Sequence, residues 1–192
     1  AGWDVIVLEA QPELGGAVRS GEVTAPGFVT DLFSAFYPLA AASPLIRDLE
    51  LERHGLQWVQ APAVLAHQLD DGRAAVLQRD AGRTAAGLEE FAAGDGDAWL
   101  DLFAQWCRVR DGLLDGALRL ARLAVSPVRR LGEETFRGEG GRLLLTGNAM
   151  HSDLPPDAAG SGLFGWLLTM LAQDVGFPVP KGGAGALAGA LA

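Results

Sequence analysis

Residues 1–20, AGWDVIVLEAQPELGGAVRS, decide how the chain is read. The β-branched run Val5-Ile6-Val7 ends in Leu8-Glu9, and a short polar linker then leads to Gly15-Gly16 and Arg19-Ser20. Such an apolar run predicts a buried strand, and a strand of a parallel sheet delivers its ligand-contacting residues at its carboxyl end. Glu9 stands at that end. A carboxylate there can accept hydrogen bonds from both hydroxyls of an adenosine ribose, roughly 1.5–3 kcal/mol for each charge-assisted bond. The glycine pair lets the backbone come close to a phosphate. A guanidinium at Arg19 suits the same phosphates.

On these residues the segment resembles the FAD-binding amino-terminal region of flavin oxidoreductases of the phytoene desaturase and amine oxidase type. In that family the ribose-binding Glu is followed by a motif close to Gly-Gly-x-x-Arg-x-x-Ser/Thr. Here it stands as Gly15-Gly16-Ala17-Val18-Arg19-Ser20. The similarity continues through PGFVTDLFSAFYPLAAASPLIRDLELERHGLQW and is weaker from there to VGFPVPKGGAGALAGALA. The resemblance implies FAD as cofactor and hydride removal from a lipophilic or amine-like substrate to the flavin. It places Glu9 and Ala10 at the adenosine ribose, and Gly15, Gly16, Arg19 and Ser20 along the diphosphate and ribityl portion. Asp31 and Ser34 fall near the flavin ring, and Phe33 stands where the family has a small glycine. It further implies peripheral membrane contact in the parent enzyme. A carboxylate at Glu9 repels a 2′-phosphate, which argues against NADP.

A dinucleotide fold opens with a strand, G-x-G-x-x-G and a helix, and the acidic residue follows about 20 residues on. Glu9 is preceded by eight residues. The expectation is therefore a piece of a larger enzyme: a partial Rossmann-like α/β fold with a largely helical substrate or cap region. The expected layout is a truncated FAD-binding domain over 1–60 and a hairpin plus helical region over 61–178. Residues 179–192 would then begin a helix returning to the FAD domain. The alternative from another class is a non-catalytic fragment or degenerate paralogue serving as an interaction module. A sheet lacking its first strand would leave apolar edges open to self-association.

Gly160-Ser161-Gly162-Leu163-Phe164-Gly165 matches G-x-G-x-x-G literally. The preceding DLPPDAA cannot be a strand, because its prolines lack ladder donors, and no acidic partner follows at the required distance. Gly183-x-Gly185-x-x-Ala188 is weaker still. The 192 residues are 49% hydrophobic and 20% charged, the pattern of a globular chain, and the net charge of −9 disfavours a nucleic-acid partner. Arg119, Arg122, Arg129 and Arg130 read as solvated helix faces. The single cysteine, Cys107, excludes a disulfide framework and reads as a structural thiol. His54, His67 and His151 are too far apart in sequence for a local metal motif. The start carries no signal-peptide pattern, and the longest apolar helix, about residues 161–173, falls short of the roughly 20 residues a bilayer requires. A cytoplasmic location is expected.

Ser43-Pro44 predicts a helix start and Gly55 its stop. Residues 56–59, 64–69 and 74–78 read as strands, the last two as a hairpin about Asp70-Asp71-Gly72. From Thr84 the pattern turns helical, with Asp95 as a cap for Trp99, Leu102, Phe103 and Trp106 at helical spacing. Ser126-Pro127 opens another helix, Gly138–Gly141 interrupts, and Arg142–Thr146 reads as strand or helix start. Residues 161–176 form the most apolar helix. Trp99, Trp106, Trp166, Phe103 and Phe164 read as core, with the lining of an apolar tunnel as the second reading.

Overall fold

The computed structural model describes residues 4, 6–110 and 117–192, without the side chains of 117–119. It is a mixed α/β molecule, and the three strand pairs among the described residues are all antiparallel. The chain divides into two compact units, one of residues 1–60 with 177–192 and one of residues 61–176.

In the first unit, β1 (Ser20–Gly21) pairs with β2 (Thr30–Asp31), Ser20 facing Asp31. Two short helices follow, α1 (Pro38–Ala42) and α2 (Pro44–Asp48). The helix expected to run from Ser43 to Gly55 is interrupted: α2 ends at Asp48, and a 3-10 turn, Leu51–His54, completes the path to Gly55 at φ +90°. β3 (Trp58–Val59) later receives β6 (Val179–Pro180), and α9 (Gly185–Leu191) closes the unit. Leu51, Leu56, Leu187 and Ala190 form its core, with Val18, Tyr37, Ile46 and Trp58 packed against them.

The strand expected at Val5–Val7 does not appear among the described residues. Val5 lies outside them, and Ile6, Val7 and Leu8 are 83%, 80% and 90% exposed without a ladder. A parallel strand needs neighbours to pair its N–H and C=O groups and to cover its side chains. No described strand flanks this run.

The second unit begins with the hairpin of β4 (Ala63–Gln68) and β5 (Ala74–Gln78). Six helices follow among the described residues: α3 (Ala81–Glu89), α4 (Asp95–Arg110), α5 (Ala117–Val125), α6 (Val128–Thr135), α7 (Glu139–Ala149) and α8 (Ser161–Val175). Asp95 does not cap α4. It is buried in the first turn, and its carboxylate accepts the N–H groups of Arg137 (2.7 Å) and Gly138 (2.9 Å) ahead of α7. Glu89 takes the capping role instead, accepting from Gly94 and Gly96, and these amides hold its carboxyl below the usual range.

Gly138 stands in the break between α6 and α7 as expected, but Gly140 and Gly141 do not interrupt. They lie inside α7, where a Cβ at Gly141 would fall 2.5 Å from the Phe136 ring and one at Gly140 2.7 Å from Phe91. Arg142–Thr146 is therefore helix. The absent side chains are what lets these aromatics seat against the backbone.

Candidate functional site

The Gly15–Ser20 turn is built by its backbone. Gly15 and Gly16 take φ of +111° and +55°, which a residue with a Cβ adopts only with strain, and the Val18 N–H closes on the Gly15 carbonyl at 2.8 Å. A Cβ at Gly15 would meet Val18 O at 2.7 Å and Ala188 Cβ at 2.8 Å. One at Gly16 would meet nothing within 4 Å, so that glycine faces open space.

Arg19 follows the turn. Its Nε is buried without an acceptor, and its guanidinium carbon lies 6.0 Å from the centre of the exposed Phe33 ring. A buried cationic donor left unpaired costs free energy that an anionic acceptor would recover. A diphosphate is such an acceptor, so the turn and Arg19 fit the group the sequence implies.

Ser20 and Asp31 meet directly. The Ser20 hydroxyl donates to Asp31 Oδ1 (2.6 Å) and accepts the Gly185 N–H (2.9 Å), while the same Asp31 oxygen accepts the Ala184 N–H (2.6 Å). Ser34 instead pairs with Tyr37, its hydroxyl 2.7 Å from the phenol, which also donates to the Ser34 carbonyl. Glu9 and Ala10 lie exposed in a bend, and the Glu9 carboxylate accepts the Gln11 N–H at 2.8 Å. No hydrogen bond among the described residues joins Glu9 or Ala10 to the Gly15–Ser20 turn.

Sequence reasoning named Gly183 only within a weak glycine-motif match and missed its place at this junction. At φ +97°, it sits where a Cβ would lie 2.5 Å from Ser20 Oγ and 2.8 Å from Asp31 Oδ1. The signal was the tandem Gly182-Gly183 directly ahead of an Ala-rich helix.

The second unit holds no comparable turn among its described residues. The glycines of GSGLFG pack helices: a Cβ at Gly162 would lie 2.6 Å from Ser126 O, and one at Gly165 2.9 Å from Leu145 O. Trp99 and Trp166 are buried core, and the Trp99 indole donates to Gln173 Oε1 at 3.1 Å. Trp106 meets Trp166 edge-on at 5.8 Å, whereas Phe164 is exposed. Arg122 and Arg130 both pair with Glu134, and Arg129 with Asp157, on solvated faces. The Arg119 side chain lies outside the described residues. Cys107 is a half-buried free thiol. His67 lies against Gly147, its Nε2 buried without a partner, and burial lowers its pKa. His151 falls in a 3-10 turn, Met150–Ser152, after α7. An open groove of about 690 Å³ runs past the charged side chains of Asp70, Asp71, Arg129, Glu133, Glu139 and Arg142, with Leu69, Leu143 and Pro156 also in its walls. No described helix is long and apolar enough to cross a membrane.

No protein-family model matches the chain. It is similar over 114 residues to one of the subunits of limonene dehydrogenase from Castellaniella defragrans, at 24% identity. The match covers 59% of this chain and 20% of that protein, so it spans about a fifth of the relative's length. At the coarse level, the chain is a distant relative of an oxidoreductase component.

Proposed function

We propose that the chain is part of an FAD-dependent oxidoreductase of phytoene desaturase-like type, acting on a lipophilic or amine-like substrate. The observation that carries this reading is the buried, unpaired Nε of Arg19 beside a double left-handed glycine turn. The similarity to a component of limonene dehydrogenase supports the same class and an apolar substrate. When bound, FAD supplies a two-electron acceptor for hydride taken from the substrate. The chain's own residues bind and orient it. Glu9 and Ala10 hold the adenosine ribose; Gly16 leaves room at the diphosphate; Arg19 neutralises it; Ser20, Asp31 and Ser34 shape the path toward the flavin.

Titration of the purified chain with FAD, followed by flavin absorbance and fluorescence, tests this. Saturable binding is expected, weakened at least about tenfold in Arg19→Ala, the equivalent of one charge-assisted bond, and weakened likewise in Glu9→Ala. Failure to bind, both by the chain alone and when it is extended with a strand, glycine loop and helix, sinks the flavin reading.

One observation favours the second reading, an interaction module: the exposed apolar run Ile6-Val7-Leu8. Such a run recruits a neighbouring strand. Sedimentation equilibrium reads it directly, as a mass that rises with concentration and falls to the monomer in Val7→Lys.

A further inference from the structure

Three contacts lay the Gly15–Ser20 turn along one helix. Ala188 of α9 abuts Gly15, the Gly185 N–H is held by Ser20, and Val18 packs on the cluster containing Leu187 and Ala190. Residues 185 and 188 are three apart and share one face of a helix. The turn thus touches α9 at Gly185 and at Ala188. Arg19 lies between Val18 and Ser20, and its carbonyl accepts the Leu32 N–H at 3.0 Å. Leu32 is the neighbour of Asp31, whose Oδ1 takes both the Ser20 hydroxyl and the Ala184 N–H. One carboxylate oxygen therefore fixes the strand on which Arg19 rides and the backbone on which the turn rests. Gly183 admits no side chain at this junction.

We infer that Asp31 is a positioning residue that presents Arg19 to an anionic cofactor by locking α9 beneath the Gly15–Ser20 turn. This inference rests on the flavin reading above for the identity of the anion. Its geometric content is separate: Asp31 acts through Ser20, Ala184 and the floor they hold, not by its charge on the ligand.

The test uses the full chain, FAD as probe, and amide hydrogen exchange as a second readout. Asp31→Ala removes the shared acceptor. It should weaken FAD binding about tenfold or more and speed exchange at Ala184, Gly185 and Val18. Asp31→Asn keeps a carbonyl oxygen for both donors, and should hold affinity within about threefold with Ala184 still protected. Ala188→Val carries no polar change, yet should weaken binding as Asp31→Ala does, by pushing the turn off its floor; it also decides the matter should Asp31→Ala fail to fold. Asp31→Asn as damaging as Asp31→Ala, with Ala184 protection intact, would show the charge itself meeting the ligand and overturn the inference. So would unchanged exchange at Val18 in both Asp31→Ala and Ala188→Val. Should FAD bind neither the wild-type chain nor its extended form, the flavin reading falls, and the exchange data alone still decide whether Asp31 locks the turn.

Discussion

Replacing Asp95 by alanine separates two roles that differ in energy. An exposed N-cap carboxylate contributes about 1 kcal/mol. Asp95 is 1% exposed, and each of its oxygens accepts a separate backbone N–H, from Arg137 at 2.7 Å and from Gly138 at 2.9 Å. Two hydrogen bonds to a charged group, at roughly 1.5–3 kcal/mol each, put the loss at about 3–5 kcal/mol once partial relaxation is allowed for. The alanine also leaves the Arg137 and Gly138 amides without their acceptor next to Phe136, itself buried and 6.4 Å from Trp99. Urea unfolding followed by tryptophan emission measures the change. Asp95→Asn, which retains one acceptor oxygen, should fall about halfway. Asp97→Ala, exposed in the same first turn, should cost only the few tenths of a kcal/mol of a charge at a helix start. A loss near 1 kcal/mol for Asp95→Ala, equal to that of Asp95→Asn, would refute the double-acceptor role and restore the simple cap.

Gly162→Ala should destabilise the chain by about 1–3 kcal/mol despite alanine's better helix propensity, because the new methyl meets the Ser126 carbonyl at 2.6 Å. The same variant should leave FAD titration unchanged, whereas a fall in FAD affinity in a stably folded variant would make GSGLFG a nucleotide loop after all. Stability should decline as pH falls below the ordinary histidine value of 6.5, since burial holds folded His67 below it and the unfolded chain binds the extra proton. His67→Gln should flatten that slope in thermal melts between pH 5 and 7.5; an unchanged slope would place the titration elsewhere.

The parts legible in the sequence were those governed by local chemistry. Asp70-Asp71-Gly72 sits between two alternating runs, and Gly72 adopts φ +88° at the hairpin. Ser43-Pro44 and the apolar run after Gly160 start helices as their caps and spacing require. What escaped depended on distant partners. Nothing near Asp95 announces that its carboxylate reaches 42 residues onward to Arg137. Gly140 and Gly141 looked like a break because the rings that need their missing side chains, Phe91 and Phe136, stand elsewhere in the chain. In the candidate site, the glycine pair and Arg19 were readable from type and spacing. The use made of Ser20 and Asp31 was not, since their partners Gly185 and Ala184 come 165 and 153 residues later.

That separation bears on the order of assembly. The unit of residues 61–176 is continuous in sequence, while its companion joins residues 1–60 to 177–192. Pairing Trp58 with Pro180 closes a loop of roughly 120 residues, at an entropic cost of about 4 kcal/mol for a flexible chain. A helical segment that has already folded shortens the effective loop and lowers that cost. On a ribosome, the first 60 residues would emerge long before α9, leaving Val18, Leu51 and Leu56 without Leu187 until synthesis passes it. The glycine turn is thus made well before α9 and acquires its shape only once α9 has followed.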